Sequence, residues 1–256
     1  MLLVNKIFEE RDFRWLPAID DIDIIRTLMR NVGLSPGWDN SKAWEISMIY
    51  EAVKRCYVGT KFLDIGAGQG ILPVLLSTKG YTVTCIDTKP VPAFVEWSKQ
   101  LSIKNDEGTI FSLPYPDSSF DAVTSVCVLE HIASFPGEPE RWAEIVNPTL
   151  DALMEIARVL KTGGLTSHTV DFYFPETKSN FAAYTKRILL ELFSRLGHVF
   201  KVTGKVNYDV DIDTYFLINH RVHEPGEGLD KDLDRLKQGL LPEFPMTKAI
   251  FTLQRI

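Results

Sequence analysis

The sequence predicts an α/β protein with a mostly parallel sheet covered by helices on both faces. Three observations predict it. Between residues 60 and 171, short apolar or β-branched runs alternate with helical patterns. A glycine turn, Gly66-Ala67-Gly68-Gln69-Gly70, joins the first of those runs to a helix. The chain has 256 residues, 45% of them hydrophobic, which is enough to bury a full core and near the upper limit for a single one. One domain with appendages is therefore expected, and disorder throughout is excluded.

Taken in order, the first 23 residues carry six acidic and three basic side chains around Phe8, Phe13, Trp15 and Leu16, which reads as a short helical or irregular arm. Residues 23–29 are weakly amphipathic. Residues 31–40, rich in Gly, Ser, Pro and Asn, read as a loop that contains Trp38. Ser41 is a candidate N-cap for a helix over 43–55, with Trp44, Met48 and Ala52 on one face. A strand from Thr60 runs into the glycine turn. A helix over 71–78 follows, with Pro73 in its first turn and Gly80 closing it. A second strand over 81–86 ends at Asp87 and completes a β-α-β unit.

Further on, the pattern predicts a helix over 93–101, a short strand over 108–111, a turn over 113–119 and a buried strand over 120–128. Helices over 138–146 and 150–160 are expected, with Asn147-Pro148 interrupting them. Gly163-Gly164 turns the chain into a strand over 165–171. A helix over 181–196, a strand within 199–209, an apolar run over 213–219, a charged surface segment over 224–237 and a closing strand over 249–254 complete the reading.

Composition narrows the function. Lys plus Arg number 28 against 34 for Asp plus Glu, a formal net charge of −6, which disfavours a non-specific nucleic-acid binder. Cys56, Cys85 and Cys127 form neither a disulfide framework nor a zinc pattern, and the last two read as buried thiols. No signal peptide is evident, and no apolar stretch approaches the ~18 residues of a membrane span, so a cytoplasmic setting is expected.

The glycine turn has the spacing G-x-G-x-G. The dinucleotide fingerprint places its third glycine one residue later, where this chain has Ile71, and the glycine turn is not followed by the Lys-Ser/Thr pair of a P-loop. Asp64 beside the turn suits a cationic or amine-bearing ligand better than a pyrophosphate, which it would repel. Both features argue against a nicotinamide oxidoreductase. Asp87, at the end of the second strand, can accept two hydrogen bonds from a ribose diol.

With the segments Leu113-Pro114-Tyr115-Pro116-Asp117, Leu129-Glu130-His131 and Lys161-Thr162-Gly163-Gly164, these motifs arrive in order. Over residues 60–171 the chain resembles the class I S-adenosylmethionine-dependent methyltransferases, in the group with a Leu-Glu-His segment after the fourth strand. The resemblance implies a Rossmann-like, mostly parallel seven-stranded sheet. Residues 1–58 would be an N-terminal helical arm or lid, 59–171 the cofactor core and 172–256 the rest of the sheet with substrate-side insertions. It implies S-adenosyl-L-methionine as cofactor, held by Asp64, Gly66, Ala67, Gly68, Gly70, Asp87, Thr88, Thr109, Ile110, Cys127 and Glu130. The family commonly has an acid where this chain has Thr109, so the adenine contact is expected to be weaker, with Asp106 or Glu107 as alternatives.

Methyl transfer needs an acceptor held in line in a dry site, and no metal. For a hydroxyl acceptor, His131 is the candidate base, from its place past the strand end and its intrinsic pKa. Asp171, at the end of the fifth strand, is the second catalytic candidate, and Glu130 would orient His131 or meet the cofactor's amino group. His168 reads as a packed, hydrogen-bonded core residue. Trp44, Glu45, Phe172, Tyr173, Phe174 and a Tyr184/Arg187 pair on one helix face are candidates for the acceptor side. The expected partner is a small-molecule or saccharide acceptor, and the chain is expected to be a monomer or homodimer. A non-catalytic cofactor-binding relative and a protein methyltransferase are the alternatives.

Overall fold

The computed structural model describes residues 5–7, 16, 18–36, 41–56, 59–132, 142–173, 184–208 and 246–256, without the side chains of 7, 142–144, 173, 246 and 247. The elements are β1 (Asn5–Ile7), α1 (Ile19–Asn31), α2 (Lys42–Cys56), β2 (Lys61–Ile65), α3 (Ile71–Thr78), β3 (Thr82–Asp87), α4 (Pro92–Ser98), β4 (Lys104–Glu107), β5 (Phe120–Val126), α5 (Trp142–Val159), β6 (Leu160–Tyr173), α6 (Lys186–Leu196), β7 (Phe200–Val202), β8 (Val206–Asn207) and β9 (Met246–Arg255). Short 3-10 turns follow α4 and β5.

The sheet order is β4-β3-β2-β5-β6-β9-β1-β8, with β7 also paired to β9. Strands β4 through β6 are mutually parallel, and β9 runs antiparallel to β6, β1 and β7. Strand order reverses at β2, with β3 on one side and β5 on the other, so the turn after β2 opens at a topological switch point. Alternation along each strand divides the interior in two. Phe62, Val83 and Cys85 join α1, α2, α3 and α4 on one face, while Leu63, Ile86 and Val123 join α5 and α6 on the other.

Several elements depart from the sequence reading. The arm is not wholly helical: β1 lies inside it and pairs with β9 and β8. With β1 and with β7 and β8 separate, the described sheet has nine strands rather than seven. The strand expected over 108–111 lies earlier, at Lys104–Glu107. It is an edge strand of sequence KNDE, and charged residues suit an edge, so no apolar alternation marks it. The two helices expected around Pro148 are one, α5. Proline removes one bond early in an 18-residue helix, at about 3 kcal/mol. The fully buried face of Val146, Ala152, Leu153, Ile156 and Val159 outweighs that loss.

Tyr184 does not share a helix face with Arg187. It stands ahead of α6 in a bridge to Phe172, and Thr185 caps the helix by accepting from the Ile188 N–H at 3.3 Å. Phe8, Phe13, Trp15, Trp38, Phe174 and the segments 213–219 and 224–237 lie outside the described residues.

Candidate active site

The glycine turn leaves the carboxyl end of β2. Gly66 takes φ +68° and donates to the Ile86 carbonyl at 2.8 Å; a Cβ there would lie 2.5 Å from Val128 Cγ2. Gly68 takes φ +51°, and a Cβ there would meet nothing within 4 Å. The first glycine is demanded by packing, and the second faces open space where a ligand can approach the backbone. A small cavity beside the turn is lined by Lys42, Ile46, Asp64, Gly66, Ala67 and Gly70, among others. Gln69 Oε1 accepts from the Ser35 N–H at 2.8 Å, which ties the segment before α2 to the turn.

Asp64 is buried and accepts from Thr124 Oγ1 at 2.8 Å. Burial pushes its carboxyl up to about 7, against the lowering effect of Thr124. Asp87 bridges two loops: one oxygen accepts from the Gly68 N–H at 3.0 Å and the other from the Lys89 N–H at 2.9 Å. A carboxylate has about four lone-pair sites, so capacity for a diol remains. Thr88 beside it is exposed. The Gly108 N–H donates to the Asp87 carbonyl at 2.9 Å, which brings Thr109 and buried Ile110 to the same rim. Asp106 is held by Tyr115 Oη at 2.9 Å and Lys104 Nζ at 2.6 Å.

At the carboxyl ends of β5 and β6 lies a buried charged cluster. Glu45 of α2 and Lys248 of β9 are almost fully buried. Lys248 Nζ bonds Asp171 Oδ1, lies 3.0 Å from Cys127 Sγ and 3.9 Å from Glu45 Oε1. Cys127 donates its thiol to Glu45 Oε1 at 2.6 Å, and Lys42 pairs with Glu45 Oε2 at 3.0 Å. Burial alone would drive the Lys248 ammonium toward neutrality, but the facing acids and thiol outweigh it and hold its pKa above the ordinary value. Burial, with Glu45 and Glu130, pushes the Cys127 thiol up and keeps it protonated. Cys127 itself sits at φ +53°, a conformation that costs about 1–2 kcal/mol for a residue with a Cβ.

Glu130, on the 3-10 turn after β5, is 3% exposed, and neither carboxylate oxygen makes a hydrogen bond. Burial, then the Asp171 carboxylate, pushes its carboxyl up to about 8. The ligating atoms of Cys127, Glu130 and Asp171 lie within 4.8 Å of one another, and the Lys248 ammonium already supplies a cation there. His131, the candidate base, is exposed. His168 lies inside the sheet, as expected, between Ser125 Oγ at 2.7 Å and Thr166 Oγ1 at 2.6 Å. Trp44 is core.

The structure thus brings Asp64, Gly66, Ala67, Gly70 and Asp87 to one turn, and Cys127, Glu130 and Asp171 to one cluster. Sequence reasoning missed Lys42 and Lys248. For Lys248 the available signal was a lysine directly preceding the mostly apolar run Ala249–Leu253, since lysine is almost never fully buried unless paired.

Residues 63–167 match the family model described as a methyltransferase domain. A demethylmenaquinone methyltransferase of Deinococcus radiodurans is 27% identical over 174 residues, covering 65% of this chain and 62% of that protein. The uncharacterized methyltransferase YcgJ of Bacillus subtilis is 31% identical over 128 residues, covering 47% of this chain and 44% of that one. The chain thus aligns with less than two thirds of the length of either relative. The crystal structure of MccD shares the fold with a TM-score of 0.56 at 15% identity, over 81% of this chain and 96% of that one. Among the described residues no helix is long and apolar enough to cross a membrane. The glycine turn at the switch point falls inside the family-model match, so residues 63–167 of this chain form a methyltransferase domain.

Proposed function

We propose that this protein transfers a methyl group from S-adenosyl-L-methionine to an oxygen or nitrogen of a small molecule or glycan precursor. The observation that carries the reading is the open face of Gly68 between Asp64 and Asp87, at the switch point and beside a dry charged cluster. The donor set fits the cofactor. Asp87 suits a ribose diol, Lys42 a carboxylate, and the buried carboxyl of Asp64 an amine. When bound, the cofactor supplies a methyl group already activated on positive sulfur. The chain's own part is to hold the acceptor in line, exclude water and take up a proton. The Deinococcus radiodurans relative is named for a small-molecule acceptor, which supports that class over a macromolecule.

Calorimetry tests the reading. S-adenosylhomocysteine binds the wild-type chain, and Asp87→Asn, which keeps an acceptor for the Gly68 N–H, weakens it about tenfold, or ~1.4 kcal/mol. A folded wild-type chain that binds neither S-adenosylmethionine nor its demethylated product would refute the cofactor assignment.

A further inference from the structure

Among the described residues, Glu130 is the acid whose carboxylate is almost wholly buried with both oxygens unbonded. The groups facing it come from every side. Asp171 and Lys248 lie on β6 and β9, Glu45 on α2, Cys127 at the end of β5, and Tyr184 ahead of α6. None of their donors serves it. Lys248 is committed to Asp171 and Cys127, the Cys127 thiol to Glu45, and the Tyr184 hydroxyl to Thr149 and the Leu129 carbonyl. A bare carboxylate in a dry site is costly, and a ligand's donor or a proton relieves it.

Resting on the methyltransferase reading of this site, we propose that Glu130, rather than His131, takes the proton of the acceptor, and that the acceptor is a neutral molecule bearing a hydroxyl group. Charge selects neutrality. A cationic acceptor would be set against the Lys248 and Lys42 ammonium groups, and an anionic one against Glu45 and Asp171. The unbonded carboxylate selects a hydroxyl, because a hydroxyl must give up its proton to become a strong nucleophile, whereas a neutral amine already carries a free lone pair. In the step, the acceptor O–H bond breaks and leaves its electron pair on oxygen. A bond forms between that proton and Glu130 Oε, and the negative charge passes to the acceptor oxygen, which becomes the nucleophile. The proton leaves to solvent after product departs.

The test uses the full chain saturated with S-adenosylhomocysteine, so that no turnover occurs. The probes are 2-naphthol, 2-methoxynaphthalene and 2-naphthylmethylamine. The expected result is that 2-naphthol binds at least about tenfold more tightly than either of the others. That preference is lost in Glu130→Gln and kept in His131→Ala. A carboxyl infrared band that titrates between about pH 6 and pH 10 in the wild type is absent from Glu130→Gln. The proposal is overturned if the amine binds best, if no probe shows the hydroxyl preference, or if Glu130→Gln leaves that preference intact. It is equally overturned if Glu130→Gln weakens S-adenosylhomocysteine by tenfold or more, which would assign Glu130 to the cofactor. Failure of the wild type to bind S-adenosylhomocysteine would instead sink the methyltransferase reading itself.

Discussion

Two glycines of one turn separate folding from binding. Gly66→Ala forces a Cβ to 2.5 Å from Val128 Cγ2 and holds it at φ +68°. Overpacking costs about 1–3 kcal/mol and the left-handed backbone about 1–2, so thermal melts of this variant fall by roughly 10 °C. Gly68→Ala carries only the backbone cost, because the space around it is open. Its melting temperature falls by a few degrees, while S-adenosylhomocysteine affinity drops at least about tenfold as the methyl group fills the approach. Wild-type affinity in Gly68→Ala would mean that the cofactor does not pass over this residue. At this scale the site was half legible. Asp64, Gly66, Gly68 and Asp87 stand in one local motif, and the motif dictates its own geometry. Glu45 and Lys248 come from α2 and β9, so only the folded chain reveals that they share a cluster with Cys127 and Asp171.

At the scale of elements, β5, β6 and β9 carry a polar layer through the sheet. Thr124, Ser125, Thr166, Ser167, His168, Thr169 and Thr252 are all fully buried. His168 is its centre, with both ring nitrogens hydrogen bonded and its ring 5.2 Å from that of Phe251. Burial pushes its pKa down from 6.5 to about 3, so the folded chain holds it neutral while the unfolded chain protonates it below about 6.5. The unfolded state therefore binds more protons between these values, and stability rises with pH across that window. As pH falls from about 6.5 to about 3, up to roughly 5 kcal/mol is lost. His168→Asn, which still offers a donor and an acceptor, shifts acid unfolding to lower pH and changes stability little above pH 7. Acid-titrated circular dichroism measures it, and an unchanged acid midpoint would show that other groups set it. Elements with a buried face were readable in this way. The helix over 71–78 and the closing strand follow their apolar patterns. The β4 strand and the helix through Pro148 were misplaced, because edge exposure and long-range packing overrode the local signal.

At the scale of the whole molecule, β9 holds the sheet together, since it pairs with β6, β7 and β1. Its far side depends on a three-residue strand that the sequence pattern does not announce. Asn5 of β1 is fully buried. Its side-chain oxygen accepts from the Thr252 N–H at 2.7 Å, and its amide donates to the Thr203 carbonyl. One residue thus ties β1 to β9 and to the chain just after β7. Asn5→Ala leaves a buried backbone N–H and a carbonyl without these partners, at about 1–3 kcal/mol for such a group, and lowers the melting temperature by about 5 °C. Asn5→Asp keeps the acceptor for Thr252 and loses the donor, so it falls between the two. Hydrogen exchange distinguishes a local effect from a global one. If β1 belongs to the cooperative fold, the Thr252 amide loses protection in Asn5→Ala together with amides along β6. If Thr252 alone becomes labile and the melt is unchanged, β1 is an ornament on the sheet. The same strand carries Lys248 into the charged cluster, so loosening it at Thr252 also loosens the ammonium that keeps Asp171 and Cys127 in place beside Glu130.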